Sequence, residues 1–373
     1  MAAILYVSKP LSPPWNDSGK NLVRDLAEAA VRHDIQVFAG PGFVPESPRV
    51  RPRRRLGASA YAPGLSQRAA IFASLARLPR EVGALHFFFA PNPLTSAAAR
   101  VALALNRRPA IQTVASSPAD YEGIARLCFG RRVVVLSEYN RRELSRAGVR
   151  SVVKIHPGVN LGRLGEEPDG ASRWREALGA AGRRVVLYAG DYEFSQGARL
   201  TLEMAEPLRR AVPEALVIFA CRRKTPAAGP VEAQIRAEAA SRGLTDHVRF
   251  LNEVEDMPGL LTLAEVSVMP VERLYAKMDI PLVLLEHMAL GRPVVVSDSE
   301  PLVEVIPGGA GGIAVPHGDA GKLAGAVRDL LRDDRARRDA GASARHVVET
   351  HFDIRRSAAA YADLYDEIAR ERG

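Results

Sequence analysis

Apolar residues along this chain alternate between two patterns. Short unbroken apolar runs predict buried strands. Between them, apolar positions return every three or four residues, which predicts amphipathic helices. Residues 3–8 (AILYVS) give a first strand, residues 21–32 a helix with Leu22, Val23, Leu26, Ala29 and Ala30 at helical spacing, and residues 35–39 a second strand. A strand–helix–strand start implies a right-handed crossover and a parallel sheet. Helices at 66–78 and 95–105 and strands at 84–89, 110–114 and 133–136 continue the alternation. Gly, Glu and Asp cluster at residues 161–180, which predicts the domain boundary, and a new sheet begins at Arg183. Strands at 184–189, 215–220, 247–251, 266–269, 293–297 and 312–315 then alternate with helices at 197–211, 230–242, 256–263, 281–290, 319–332 and 335–349. A last helix, 354–370, carries Ala358, Tyr361, Leu364 and Tyr365 on one side. The expected class is α/β, with two doubly wound Rossmann-like domains whose carboxyl-end loops face a cleft.

The stretch YAKMDIPLVLLEHMALGRPVVVSD, residues 275–298, organises the second half. Pro281 suits the first turn of a helix, Gly291 a left-handed cap, and Pro293 prevents continuation. The helix is mostly apolar and carries one carboxylate, Glu286. A carboxylate can accept from two vicinal hydroxyls, so a ribose is its natural partner. The helix start and Lys277 before it would face a phosphate. The alternative is a buried helix with Glu286 turned to solvent.

The segments PLVLLEHMALGRPVVVSDSEPLVEVI and GGIAVPHGDAGKLAGAVRDLL resemble the C-terminal half of the family 4 GT-B glycosyltransferases, the large retaining group. The resemblance implies a sugar moved from a nucleoside diphosphate sugar, UDP- or GDP-linked, with retention and without a bound metal. The sugar nucleotide is then a substrate, and no cofactor is expected. It further implies an acceptor-side domain at 1–165, onto which the helix of 353–373 returns, and a nucleotide-sugar domain at 166–352. By the same resemblance Gly19, with Lys20 beside it, approaches the donor phosphates, Gly190 lies in the loop after the first strand of the second domain, and Asn252 and Val254 lie by the base. The usual arginine and lysine of that loop are replaced by Asp191 and Gln196. Arg222 or Arg223, with Lys277, are the expected replacement cations, because a diphosphate needs compensating charge. The first acid of the usual E-x7-E pair is replaced by Met278, and Asp279, one step along, is expected to meet the sugar hydroxyls. The histidine usual after the strand at 110–114 is missing, which leaves backbone, Ser116 or Ser117 at that place. These departures keep a second reading open, a non-catalytic sugar- or nucleotide-binding protein.

Charge adds a partner class. The net charge is +8, but residues 1–165 hold 24 Lys and Arg against 10 Asp and Glu, so the rest is acidic. The first half therefore suits an anionic partner. The run RVRPRRR (residues 49–55, with Arg49, Arg51, Arg53, Arg54 and Arg55) is expected to be a flexible loop that meets an anionic membrane surface. A phosphate-bearing or lipid-linked acceptor fits the same charge. Nucleic acid is not expected, because no aromatic platform or helix-turn-helix pattern accompanies the arginines. No Cys or His cluster has metal-ligand spacing, and Cys128 and Cys221 read as free thiols of a reducing compartment. No apolar run is long enough to span a bilayer, and the N-terminus is no signal peptide. The expected location is cytoplasmic, peripheral at the inner face of the membrane. His86, in an aromatic strand, reads as a core residue, and Ser137 as a helix cap with Glu138 serving the helix dipole.

Overall fold

The computed structural model describes residues 3–57, 63–164, 169–275 and 277–371. The chain divides into two units. The first holds Met1–Gly158, Ala276–Asp279 and Phe352–Gly373; the second holds Val159–Tyr275 and Ile280–His351. The first unit thus stops short of residue 165 and takes in a short excursion from the middle of the second half.

Among its described residues the first unit has a seven-stranded parallel sheet in the order β3-β2-β1-β4-β5-β6-β7. The strands are β1 (Ala3–Leu11), β2 (Ile35–Ala39), β3 (Val50–Arg55), β4 (Val82–Phe88), β5 (Ala110–Val114), β6 (Arg132–Val135) and β7 (Val152–Lys154). Helices α1 (Ser18–Glu28), α2 (Leu65–Ala76), α3 (Pro93–Asn106) and α4 (Glu138–Arg146) make the crossovers. One core layer joins Leu5, Val7, Phe38, Leu85 and Phe87 of the sheet to Leu75, Ala99 and Ala102 of α2 and α3.

The arginine run is not a loop. It forms β3, the edge strand, paired in parallel with β2 so that Ile35 faces Val50 and Val37 faces Pro52. An edge tolerates Pro52, which has no ladder hydrogen to give. Arg53, Arg54 and Arg55 donate to the carbonyls of Arg77, Ala70 and Phe43, at 3.2, 3.4 and 3.4 Å. Extended backbone with outward charge also discourages pairing with another sheet edge.

The second unit repeats the scheme with β8 (Arg184–Tyr188), β9 (Ala215–Ala220), β10 (Val248–Leu251), β11 (Val266–Met269), β12 (Val294–Ser297) and β13 (Gly312–Val315). Their order is β10-β9-β8-β11-β12-β13, all parallel. The helices are α5 (Gly170–Ala177), α6 (Gly197–Ala211), α7 (Ala228–Ser241), α8 (Met257–Leu263), α9 (Leu282–Ala289), α10 (Ala320–Arg332) and α11 (Asp334–His351). Helix α5 lies where composition predicted only a boundary. It is held on α8 by Trp174, whose indole N–H donates to the Asp256 carbonyl at 3.0 Å. Gly170 permits the approach: a Cβ there would stand 2.8 Å from the Gly259 Cα.

Helix α12 (Ile354–Arg370) belongs to the first unit. It starts against Gly158, where a Cβ would lie 2.3 Å from the Ile354 Cα. Its Tyr361 and Tyr365 are buried and reach into the sheet. The Tyr361 hydroxyl bonds Thr113 Oγ1 at 3.0 Å, Thr113 Oγ1 bonds His86 Nε2 at 2.7 Å, and His86 Nδ1 bonds the Tyr365 hydroxyl at 2.7 Å. Tyr365 in turn donates to Tyr6 Oη at 3.0 Å. Burial drives the His86 pKa well below its ordinary value, so the ring is neutral within this network.

Candidate functional site

In the second sheet, strand order reverses at β8 and β11. Loops leaving the carboxyl ends of such a pair diverge and open the usual ligand crevice of an open α/β sheet. The loop after β8 is packed on its own strand. Tyr188 is buried, and its hydroxyl donates to the Asp191 carbonyl at 3.2 Å. A Cβ on Gly190 would stand 2.2 Å from Tyr188 Cζ, and one on Gly197 would stand 2.4 Å from Tyr188 Oη. Both positions therefore need glycine for contact rather than for backbone freedom.

Asp191 is turned inward. It is 1% exposed, and its Oδ1 accepts from the amides of Glu193 at 3.1 Å and Phe194 at 2.7 Å. The carboxylate thus stabilises the turn, as Asp does in such loops. Glu193 accepts from the Thr225 hydroxyl. Helix α6 begins at Gly197 after Gln196, which gives no side-chain cap.

Of the expected replacement cations, Arg223 is already committed. Its Nε donates to Glu232 at 2.7 Å, and Arg236 donates to the other oxygen of Glu232 at 2.8 Å. Glu232 is buried to 1% exposure. Burial alone would raise its pKa, but the two guanidiniums hold it below the ordinary carboxylate range. Arg223 therefore neutralises a buried acid, while its own side chain stays 52% exposed. Arg222 is half-buried at the carboxyl end of β9.

After β10, Asn252 is half-buried, and its Oδ1 is enclosed with no hydrogen-bond partner among the described residues. The Val254 side chain packs in the core with Leu216, Ile218 and Leu260, so only its backbone can meet a base.

Helix α9 starts after Pro281, with φ −64° and ψ 116°, and ends before Gly291, with φ +70°. Leu284, Leu285 and Met288 bury one face. Glu286 is half-buried. The adjacent His287 is fully buried, and its pKa falls to about 3, first because of burial and then because of Arg292. It is a neutral core residue.

The remaining predicted site residues lie in the first unit. Gly19 is exposed in the first turn of α1. Lys20 is buried, and its ammonium donates to the carbonyls of Ser12 at 2.9 Å and Pro14 at 3.1 Å. It braces the loop after β1 and does not present its charge as expected. Lys277 and Asp279 belong to the excursion of this unit, whereas Glu286 belongs to the second. Met278 forms an antiparallel bridge with Ser116, and the Asp279 amide donates to the Ala115 carbonyl at 3.0 Å. Asp279 is 0% exposed. Its oxygens accept from Ser117 Oγ at 2.9 Å and Ser137 Oγ at 3.2 Å. The expectation that it meets sugar hydroxyls is thus corrected: protein hydroxyls occupy that role, Ser117 among them.

Two doubly wound parallel units in one chain define the GT-B class of α/β proteins. Residues 171–347, within the second unit, match the family model of the glycosyl transferases group 1. The chain is 30% identical over 240 residues to the GDP-mannose-dependent alpha-(1-6)-phosphatidylinositol monomannoside mannosyltransferase of Mycolicibacterium smegmatis, covering 62% of this chain and 61% of that protein. It is 26% identical over 242 residues to the alpha-D-kanosaminyltransferase of Streptomyces kanamyceticus, covering 63% and 60%. The chain thus spans about three fifths of the length of these relatives. Among solved structures, HepE of Anabaena in complex with UDP and glucose superposes with a TM-score of 0.78 at 17% identity, covering 98% of this chain and 100% of that one. At that identity the likeness is one of fold.

Among the described residues no helix is long and apolar enough to cross a membrane, and no group of three or more His, Cys, Asp or Glu could hold a metal ion.

Proposed function

We propose that this chain transfers a sugar from a UDP- or GDP-linked donor to an acceptor, with retained anomeric configuration and without a metal. The observation that carries this reading is the coincidence of the group 1 family match with the reversal point of the second sheet, flanked by the glycine turn on Tyr188 and by the connection from β11 to α9. The mannosyltransferase relative is named as GDP-mannose-dependent, and HepE was crystallised with UDP and glucose, which supports a nucleoside diphosphate sugar.

In this reading Glu286 grips the ribose. The backbone of Asn252 and Val254 meets the base. The α6 amides, Arg222, Lys277 and the backbone at Gly190 and Gly19 take the diphosphate charge. Arg223, Lys20 and Asp279 support this set without touching the donor. Catalysis rests on positioning and on stabilising the leaving diphosphate. The assay is nucleotide release from a panel of UDP- and GDP-sugars, with the product anomer read by NMR. Turnover unchanged in excess EDTA is expected; strict magnesium dependence or inverted product would overturn those two points. Nucleotide binding without any turnover would make the chain a binding protein.

The acceptor side is proposed to be lipid-linked or phosphate-bearing, reached by peripheral contact with the inner face of an anionic membrane from the cytoplasm. The support is the first unit's cationic edge. Arg51, Arg54 and Arg55 are exposed on β3, and Leu65, which opens the neighbouring α2, is 83% exposed. Guanidiniums beside protruding apolar side chains suit an anionic bilayer. Co-sedimentation with phosphatidylglycerol vesicles, falling steeply with salt and absent on phosphatidylcholine, is expected. Equal binding to both lipids would remove the membrane from the proposal.

A further inference from the structure

Below the residues expected to touch a donor, the first unit contains a hydrogen-bond lattice whose direction can be read bond by bond. The Tyr121 hydroxyl donates to Asn140 Oδ1. With its oxygen so used, Asn140 turns its Nδ2 to Ser117 Oγ, donating at 3.0 Å. Ser117 then has its own hydrogen for Asp279 Oδ1, at 2.9 Å. On the other branch, Ser137 Oγ accepts from the Asn140 amide at 3.1 Å as the cap of α4, which leaves its hydrogen for Asp279 Oδ2 at 3.2 Å. Both branches therefore end as donors on one carboxylate. Such a polarised, buried network suits an ionised acid and fixes what that acid is attached to.

What it is attached to is the segment of Lys277, Met278 and Asp279. Three links bind this segment to the first sheet: the hydroxyl of Ser117, the hydroxyl of Ser137, and the antiparallel bridge of Met278 to Ser116, to which the Asp279 amide on Ala115 belongs. Ser116 and Ser117 stand directly after β5, and Ser137 directly after β6. Lys277 lies two residues from the locked carboxylate.

We infer that Asp279 is a positioning residue: with Ser117, Ser137 and Asn140 it locks the segment at 277–279 to the first sheet and so sets where the Lys277 ammonium stands. The lock itself follows from the hydrogen bonds. Its effect on a ligand rests on the donor reading above, in which Lys277 meets the diphosphate. The charge of Asp279 is needed less than its two acceptor sites. An asparagine can accept from Ser117 and donate to Ser137 Oγ, whereas alanine can do neither.

The test uses the full chain and two independent readouts. Amide hydrogen exchange needs no substrate. Asp279→Ala is expected to speed exchange in the peptide spanning 277–279 by about tenfold or more, with α11 unchanged, and Asp279→Asn is expected to restore protection. Ser117→Ala, which deletes one donor only, is expected to fall between them and serves if Asp279→Ala does not fold. Unchanged exchange in the alanine variants, or an asparagine variant as unprotected as alanine, would overturn the lock. The second readout is the dissociation constant for UDP and for GDP. Asp279→Ala and Lys277→Ala are each expected to weaken binding, and the double variant no more than the worse single one. Additive losses would show that Asp279 does not act through Lys277. A wild-type chain that binds neither nucleotide would sink the donor reading, while the exchange result would still decide the lock.

Discussion

Glu286 and His287 are neighbours on α9 with opposite environments. Glu286 is half-buried, and its replacement by alanine is expected to weaken UDP or GDP binding by about 1.5–3 kcal/mol, the worth of a charge-assisted hydrogen bond. Isothermal titration checks this, and an unchanged affinity would take Glu286 out of the site. His287 is enclosed and neutral, as is His86. Both folded pKa values lie below the ordinary value of about 6.5, so below that pH the unfolded chain binds protons that the native chain refuses. Stability is therefore full above about pH 6.5 and falls as the pH drops, by up to about 1.4 kcal/mol per pH unit for each imidazole. Urea melts at a series of pH values should show this slope, and His287→Gln should remove about half of it. Glu286 stands out in the sequence because it is the lone acid of an apolar helix. Asp279 was misread because composition cannot tell an acid facing a ligand from one that accepts from hydroxyls beside neighbouring strands, and the part Asp191 plays in its own turn left no mark in the sequence. That difference lies in side-chain direction, which tertiary packing sets.

The strand and helix alternation was legible because buried parallel strands and amphipathic helices have different periods. Three elements escaped, the short β7 among them. The β3 strand carries arginines at alternate and successive positions, and only its seat on the sheet edge makes it a strand. Helix α5 is a short segment whose one large apolar residue is Trp174, too little for a periodic signal. The turn from β8 to α6 is a different case: Gly190 was singled out in the sequence, but the reason for it and for Gly197 was not legible there. Tyr188 fills the space that side chains at 190 and 197 would take. Gly197→Ala is expected to destabilise the chain by about 1–3 kcal/mol through overpacking. Because the nearest atom is the Tyr188 hydroxyl, a Tyr188→Phe background should recover part of that loss. Thermal melts of the two single variants and the double variant measure the coupling, and strict additivity would mean that the clash is relieved elsewhere.

For the molecule as a whole, the sheet of the first unit is completed by α12, from the far end of the chain. Tyr365→Phe removes the hydroxyl that links His86 to Tyr6, and it leaves buried polar atoms short of a partner. The expected cost is about 1–3 kcal/mol, read as a lower urea midpoint with an unchanged m-value. A variant as stable as the wild type would mean that the network is not needed to hold the helix. The place of α12 also has a consequence for synthesis. A ribosome delivers Tyr361 and Tyr365 only after the entire second unit has been made. The first half of the nascent chain must therefore wait, with its β1–β4–β5 face uncovered, while the segment translated later can already finish folding.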